Sequence, residues 1–301
     1  MRNKKKSLIA RDKGMRSFQL LGYGFMALVT VVCFLPFWLM ITGSISSEHE
    51  IIRHGFHILP RGFSLDAYRS IFRGYNKIAR AYQTTLIITG VGTTVSLLFT
   101  SMAGYVLQRQ DFRYRNVLSF FIYFTTLFSG GLIPWYIVII RLGMKNTLAA
   151  LIIPALLNPW HIMLMRNFIK SIPFSIMEAA KIDGAGDWSI YRSIVLPLSK
   201  TGLAAIGLFI ALAYWNNWYH ANLFMKDESQ YPLQYLLYQM LASAEFLKSA
   251  AASGIDASQI TPPAETLKLA TAMVVTGPIL LLYPFVQRFF VKGVTIGAVK
   301  G

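Results

Sequence analysis

Acidic side chains are scarce in this sequence: 13 Asp and Glu in 301 residues, against 29 Lys and Arg. Charged residues of both signs make up only 14%, where a soluble domain carries about 25%. There is a single cysteine, Cys33, which excludes an internal disulfide framework and any Cys-x-x-Cys metal pattern. No Gly-x4-Gly-Lys-Ser/Thr loop exists, so nothing in the chain cradles nucleotide phosphates. Neither a Ser/His/Asp set nor a carboxylate pair faces a plausible soluble pocket, and a catalytic subunit is not expected. His49, His54 and His57 lie close together, but no regular helix or hairpin sets Cys, Asp or Glu beside them at ligand spacing. They read as solvated loop histidines, and no metal site is expected.

What is present instead is apolar length. Hydrophobic residues reach 54% and the mean hydropathy is +0.48. Blocks of about 20 apolar residues recur, each able to cross a hydrocarbon core of about 30 Å as a helix. The pattern predicts an all-α, multi-pass membrane protein. The net charge of +16 would suit nucleic acid. The basic residues, however, sit at the ends of apolar blocks and not in a soluble basic domain with interleaved aromatics. Lipid is therefore the expected surroundings, and no nucleic-acid partner is expected.

Six spans are the simplest count: 18–42, 83–107, 117–140, 147–166, 202–225 and 268–290. The first follows a basic tail and runs on without a clean cleavage site, which favours a retained helix over a signal peptide. The fourth holds Pro154 and Pro159, so it is expected inside a bundle where neighbours re-satisfy the freed carbonyls. Lys and Arg number seven in 1–17, three in 108–116, five in 166–201 and three in 288–301. By the positive-inside rule these segments are cytoplasmic, with both termini inside. The six basic residues of 43–82 run against that pattern, and this segment is expected to lie along the outer surface. The expected layout is a cytoplasmic tail 1–17, a first helix with its outer segment 18–82, a transmembrane domain 83–290 containing a polar loop 173–200, and a cytoplasmic tail 291–301.

That polar loop organises the rest. Glu178-Ala179-Ala180-Lys181 is a run of strong helix formers, with Pro173 suited to the helix start. Gly184 supplies a position free to take positive φ, where the chain can turn sharply. Asp187 is placed to cap a second short helix from Trp188, and Pro197 to close it before the next span. Helix, elbow, helix is the expectation, offered to something in the cytoplasm.

Two further stretches stand out. Ser129-Gly130-Gly131-Leu132-Ile133-Pro134 permits a bend at membrane depth beside a pathway, or close packing through Gly130 and Gly131. Tyr214-Trp215-Asn216-Asn217-Trp218-Tyr219-His220-Ala221-Asn222 joins flat aromatic faces to hydrogen-bonding amides, which is what a sugar needs. An interfacial aromatic belt is the other reading. Taken as one helix, Trp215, Trp218 and Asn222 share a face, and Asn216 falls with Tyr219 on its neighbour.

The string EAA–x2–DGA–x8–I–x–LP over Glu178–Pro197 resembles the EAA loop of ABC importer permeases. The end of the chain, QRFFVKG followed by GAVKG, is similar to the tail of MalG-like carbohydrate permeases. With WNNW, YPLQ and SGGLIP, the resemblance extends over about residues 60–301 and lies nearest the subgroup serving polysaccharide fragments. One departure is Lys200-Thr201, where the family often has proline.

The resemblance implies a type I ABC importer permease fold of six transmembrane helices in the bacterial cytoplasmic membrane. It implies that Glu178, Ala179, Ala180, Asp183, Gly184, Ala185, Ile194 and Pro197 couple the chain to a cytoplasmic ATPase. Two copies of that ATPase would bind the ATP and Mg, with no cofactor in this chain. A second, homologous permease completing a heterodimer and an extracellular solute-binding protein would be the other partners. The substrate would be a di- or oligosaccharide, with Trp215, Asn216, Asn217, Trp218, Tyr219, Asn222, Gly130 and Gly131 as candidates for its path. A secondary transporter would instead use intramembrane ionisable groups, of which only His161 lies well within a span. A non-transporting membrane assembly protein is the remaining alternative.

Overall fold

The structure is a computed structural model that describes residues 13–73, 75–252 and 265–298, with side chains over 18–73, 77–246 and 265–281. Among the described residues every element is helical. The chain divides into two compact units, Met1–Ser70 with Ala264–Met273, and Ile71–Pro263 with Val274–Gly301.

The first unit is built on the helix Lys13–Ser44, whose apolar stretch Phe18–Ser44 is long enough to span a bilayer; it is exposed along Phe18–Trp38 and buried against its own chain only at its end, where Thr42 and Ser44 are covered. Beyond it the chain folds back. Ser47 caps the short helix Glu48–His54, and Gly55 ends it at φ 76°. Trp38 Nε1 donates to the Ile58 carbonyl at 2.8 Å and Thr42 to His57 at 2.8 Å, tying the return segment to the end of the long helix. Glu48 then reaches across the sequence. Its carboxylate accepts from the backbone N–H of Glu265 and of Thr266 and from the Thr266 hydroxyl, each at 2.8 Å. Glu48 thus caps the first turn of the helix Glu265–Ala298 from outside that helix. Glu48→Ala is expected to cost about 0.5–2 kcal/mol, the usual loss for an N-cap. The check is thermal unfolding of the purified protein in detergent; an unchanged midpoint would exclude the cap as a stabilising contact.

The second unit is centred on the helix Tyr75–Gln108, which packs against both Pro159–Lys170 and Lys200–Trp215. Small residues permit the approach. A Cβ on Gly104 would sit 3.0 Å from the Arg166 backbone nitrogen, so any larger residue would push these two helices apart by a few tenths of an ångström. The core around it joins Tyr105, Met165, Ile169, Ile190, Tyr191, Ile206, Ile210 and Tyr214.

The fourth expected span is broken, as its prolines require. Helix Ala149–Ile152 tightens to a 3-10 turn at Ile153–Ala155, and Pro159–Lys170 restarts at 50° with Asn158 as its cap. Three carbonyls at the break each meet a side chain from a neighbouring helix or break. Asn217 donates to Leu151 at 2.9 Å, Tyr214 to Ile152 at 2.9 Å and Ser96 to Leu156 at 2.5 Å. Unpaired carbonyls at this depth would each cost about 1–3 kcal/mol.

The third span, 117–140, carries the bend that its Gly130-Gly131 pair permits: Arg115–Leu127 and Leu132–Arg141 meet at 114°. Phe128 is extended and Gly131 takes φ 86°, and Ser129, Gly130 and Gly131 have poor helix propensity. The fifth does not run to 225. Lys200–Trp215 stops at the Asn216-Asn217 pair, and Trp218–Phe224 follows as a separate short helix. Among the described residues, two single helices are long and apolar enough to cross a membrane, and up to five crossings result if each bent pair counts as one.

Candidate functional site

The polar loop folds as two short helices around a glycine elbow. Phe174–Ile182 follows Pro173, and its apolar side turns inward through buried Met177. The end of that helix explains the Asp-Gly-Ala tripeptide. Gly184, at φ 82°, donates to the Lys181 carbonyl at 3.0 Å, and Ala185 donates to Ala180 at 2.8 Å. Those two bonds make a Schellman motif, which closes a helix through a left-handed residue and so demands glycine there. Ala180 and Ala185 are both half-buried against the central core, which holds the motif in place.

The second arm runs from Asp187 to Leu198 and meets Lys200–Trp215 at 82°. Asp187 is not its N-cap, contrary to the expectation. Gly186 occupies that position, and Asp187 is the first helical residue with its carboxylate paired to Arg109. The helix widens over Tyr191–Val195, where the Leu196 N–H reaches back five residues to the Tyr191 carbonyl. Proline at 197 cannot donate and crowds the carbonyl four residues back, so a looser turn just before it relieves the conflict. Pro197 itself lies inside this last turn, which ends at Leu198.

The motif residues divide by direction. Glu178, Ala179, Asp183, Gly184 and Pro197 are exposed, whereas Ala180, Ala185 and Ile194 are half-buried against the core. No ion pair engages Glu178 among the described residues; the nearby Lys181 is paired instead with Asp111. Asp111 is also held by Arg109, whose Nε donates to one carboxylate oxygen at 2.9 Å and Nη2 to the other at 2.6 Å. Arg109 first, then Lys181, keep the Asp111 carboxyl well below the usual carboxylate range, and the bond to Asp111 raises the guanidinium of Arg109. Just above, Tyr191 shares a 2.7 Å hydrogen bond with Ser101 and packs its ring on Tyr105 at 5.7 Å.

The aromatic–amide stretch is split by the helix break. Trp215 is buried among Ala81, Leu233 and Val275, with Nε1 donating to the Val275 carbonyl at 3.3 Å. Asn217 is buried with its amide on Leu151. Asn216, Trp218, Tyr219 and Asn222 are exposed. Gln234 donates to the Asn216 side chain at 3.0 Å, and Trp218 stacks on Tyr238 at 4.4 Å. The shared face of Trp215, Trp218 and Asn222 drawn for one continuous helix is therefore not formed. Gly130 and Gly131 are exposed at the 114° break. Residues 253–264 and 299–301 lie outside the described residues.

Arg109, Asp111 and Tyr191 carry no role in the sequence reading, where 108–116 is only a basic segment expected on the cytoplasmic side. A signal was available: Ser101 and Tyr105 on one helix and Arg109 just past its end repeat every four residues, and Asp187 and Tyr191 do so on the other.

The described geometry has known counterparts. Residues 96–296 match the family described as binding-protein-dependent transport system inner membrane component. The polygalacturonan/rhamnogalacturonan transport system permease protein YtcP of Bacillus subtilis is 39% identical, over 95% of this chain and 99% of its own length. Protein LplC of the same organism is 38% identical, over 96% and 97%. The crystal structure of a bacterial ABC transporter involved in import of the acidic polysaccharide alginate contains a chain with TM-score 0.80 and 28% identity, covering 93% of this chain and 98% of that one. The chain belongs to the family of binding-protein-dependent transport system inner membrane components, the permease subunits of ABC importers.

Proposed function

We propose that this permease forms half of the translocation path for an oligosaccharide released from a plant- or alga-type polysaccharide, and that the loop Glu178–Pro197 takes the stroke from a cytoplasmic ATPase. The relatives' names supply the substrate class: polygalacturonan and rhamnogalacturonan for one, arabinooligosaccharides for another, alginate for the solved transporter. The observation that carries the coupling role is the division of the motif. Ala180, Ala185 and Ile194 anchor the elbow to the bundle, while Glu178 and Asp183 face outward without an ion pair among the described residues. Asp183 stands at the C-terminal end of its helix, where a carboxylate opposes the helix dipole by about 0.3–1 kcal/mol. A residue that costs its own helix stability is well explained by a partner that needs it.

The finer assembly follows from the same reading. The 34-residue helix Glu265–Ala298 adds a sixth crossing to the five, and both termini lie in the cytoplasm. A homologous second permease, two ATPase subunits binding ATP and Mg, and a solute-binding protein complete the importer. Asn216, Trp218, Tyr219 and Asn222, together with the Gly130-Gly131 break, remain the candidates for the path.

The test is reconstitution of the assembled complex in proteoliposomes with its binding protein and labelled oligogalacturonides or related acidic oligosaccharides. ATP inside the vesicles is expected to drive uptake by this complex and not by one with a hydrolysis-dead ATPase. Uptake that ignores ATP and follows an ion gradient would sink the proposal. Isolation from the native source of a stable homodimer alone would count against the heterodimer.

A further inference from the structure

We infer that Arg109 and Asp111 form a second arm of the coupling machinery, a tether that makes the elbow move as one body with the end of the helix Tyr75–Gln108. The inference rests on the coupling role proposed for the loop Glu178–Pro197. Both arms of the elbow are tied to the same short segment. The first arm is held through Lys181 on Asp111, and the second through Asp187 on Arg109. Arg109 and Asp111 are themselves joined by two parallel hydrogen bonds. The chain Lys181–Asp111–Arg109–Asp187 therefore brackets Gly184, and the two arms cannot swing independently without breaking a charged contact. The guanidinium suits the task because its fork fills both oxygens of Asp111 and leaves Nη1 for Asp187.

The segment 109–111 continues directly from a helix that packs against two others of its unit, Pro159–Lys170 and Lys200–Trp215. One and two turns above Arg109, the Tyr105 ring and the Ser101 hydroxyl meet Tyr191 of the second arm. A displacement of the elbow is thus delivered to the helix that both bundle neighbours share. The side chains in the bracket are 22% exposed for Arg109, 42% for Asp111, 55% for Asp187 and 39% for Lys181. Ion pairs this open contribute little to holding a fold together. Loss of the tether is therefore expected to leave the complex assembled and to show in coupling.

The assembled importer in proteoliposomes separates these roles, with sugar transported and ATP hydrolysed measured together. Arg109→Gln is expected to lower sugar transported per ATP about threefold to fivefold, the upper range for a partly exposed ion-pair network. Arg109→Lys, which keeps the charge and loses the fork, should fall between. In a Cys33→Ser background, Arg109→Cys with Asp187→Cys should be uncoupled, recover when joined by a short reducible thiol crosslinker, and lose coupling again on reduction. If Arg109→Gln does not assemble, Lys181→Gln opens the same bracket from the other arm and decides. Unchanged transport per ATP in whichever variant assembles would overturn the tether. Glu178→Ala in the same assay tells which reading failed: impaired coupling there with normal Arg109→Gln removes only the tether, and normal coupling in both removes the elbow's role as well.

Discussion

Gly184→Val is expected to abolish most transport while the chain still inserts and assembles. Gly184 sits at φ 82°, and no atom lies within 4 Å of where its Cβ would be. A side chain there meets no wall, so the whole effect comes from the backbone. A left-handed L-residue costs about 1–2 kcal/mol, and a β-branched one more, because the branch crowds its own carbonyl in that region. The Schellman bonds from Gly184 to Lys181 and from Ala185 to Ala180 hold only while this φ is kept. Valine therefore re-aims the second arm instead of unfolding the loop. Gly184→Asn, which tolerates the left-handed region, should keep most of the activity, with alanine between. On the coupling role proposed for it, Glu178→Ala should also impair uptake, by removing a charged contact to the ATPase of about 1.5–3 kcal/mol while breaking no ion pair among the described residues. Initial uptake rates, set against the amount of assembled complex in the membrane, give the order. Valine performing as well as glycine would rule out the elbow as the coupling element.

Much of this site could be read from the chain alone, because its determinants are local. A Schellman turn needs glycine at one fixed place after a helix, and Asp183-Gly184-Ala185 following Glu178–Ile182 states that within a few residues. The proline-broken span and the glycine bend are punctuation of the same kind, although nothing local sets 50° against 114°. Spacing marks the faces that carry Arg109 and Asp187, but their pairing was not legible. The two links from 109–111 to the elbow join residues 70 or more positions apart, and charged residues in short loops look alike. Asp187 shows the failure clearly. Its position fits a cap, but Arg109 from another loop outbids the helix's own N–H groups for its carboxylate. The helix break at Asn216-Asn217 was missed for a different reason. A membrane helix is apolar all round, so no periodicity tells where it stops, and the stop depends on the carbonyl of Leu151, which only the fold brings near.

That break sets up a sharp contrast between neighbouring positions. Trp215→Ala is expected to destabilise the permease by about 3 kcal/mol, near the low end for a buried tryptophan. The low end applies because packing contacts are lost while lipid offers little hydrophobic transfer difference. The cavity would open among Ala81, Leu233 and Val275, and the Val275 carbonyl would lose its donor. Asn217→Leu should cost about 1–3 kcal/mol by stranding the Leu151 carbonyl. Both variants should show less assembled protein, with the transport that remains scaling with its amount. Asn216→Ala, Trp218→Ala and Asn222→Ala remove exposed groups and should leave assembly intact. Their effect should appear as slower uptake per complex if sugar passes over them. Single cysteines separate the two classes directly, in a background without the exposed Cys33. A membrane-impermeant thiol reagent should reach positions 216, 218 and 222, with protection by substrate, and should fail to reach 215 and 217. Labelling at 215 with none at 216 would mean that this helix turns its other side to the path, and that the tryptophan packing found here is not the packing of the transporting state.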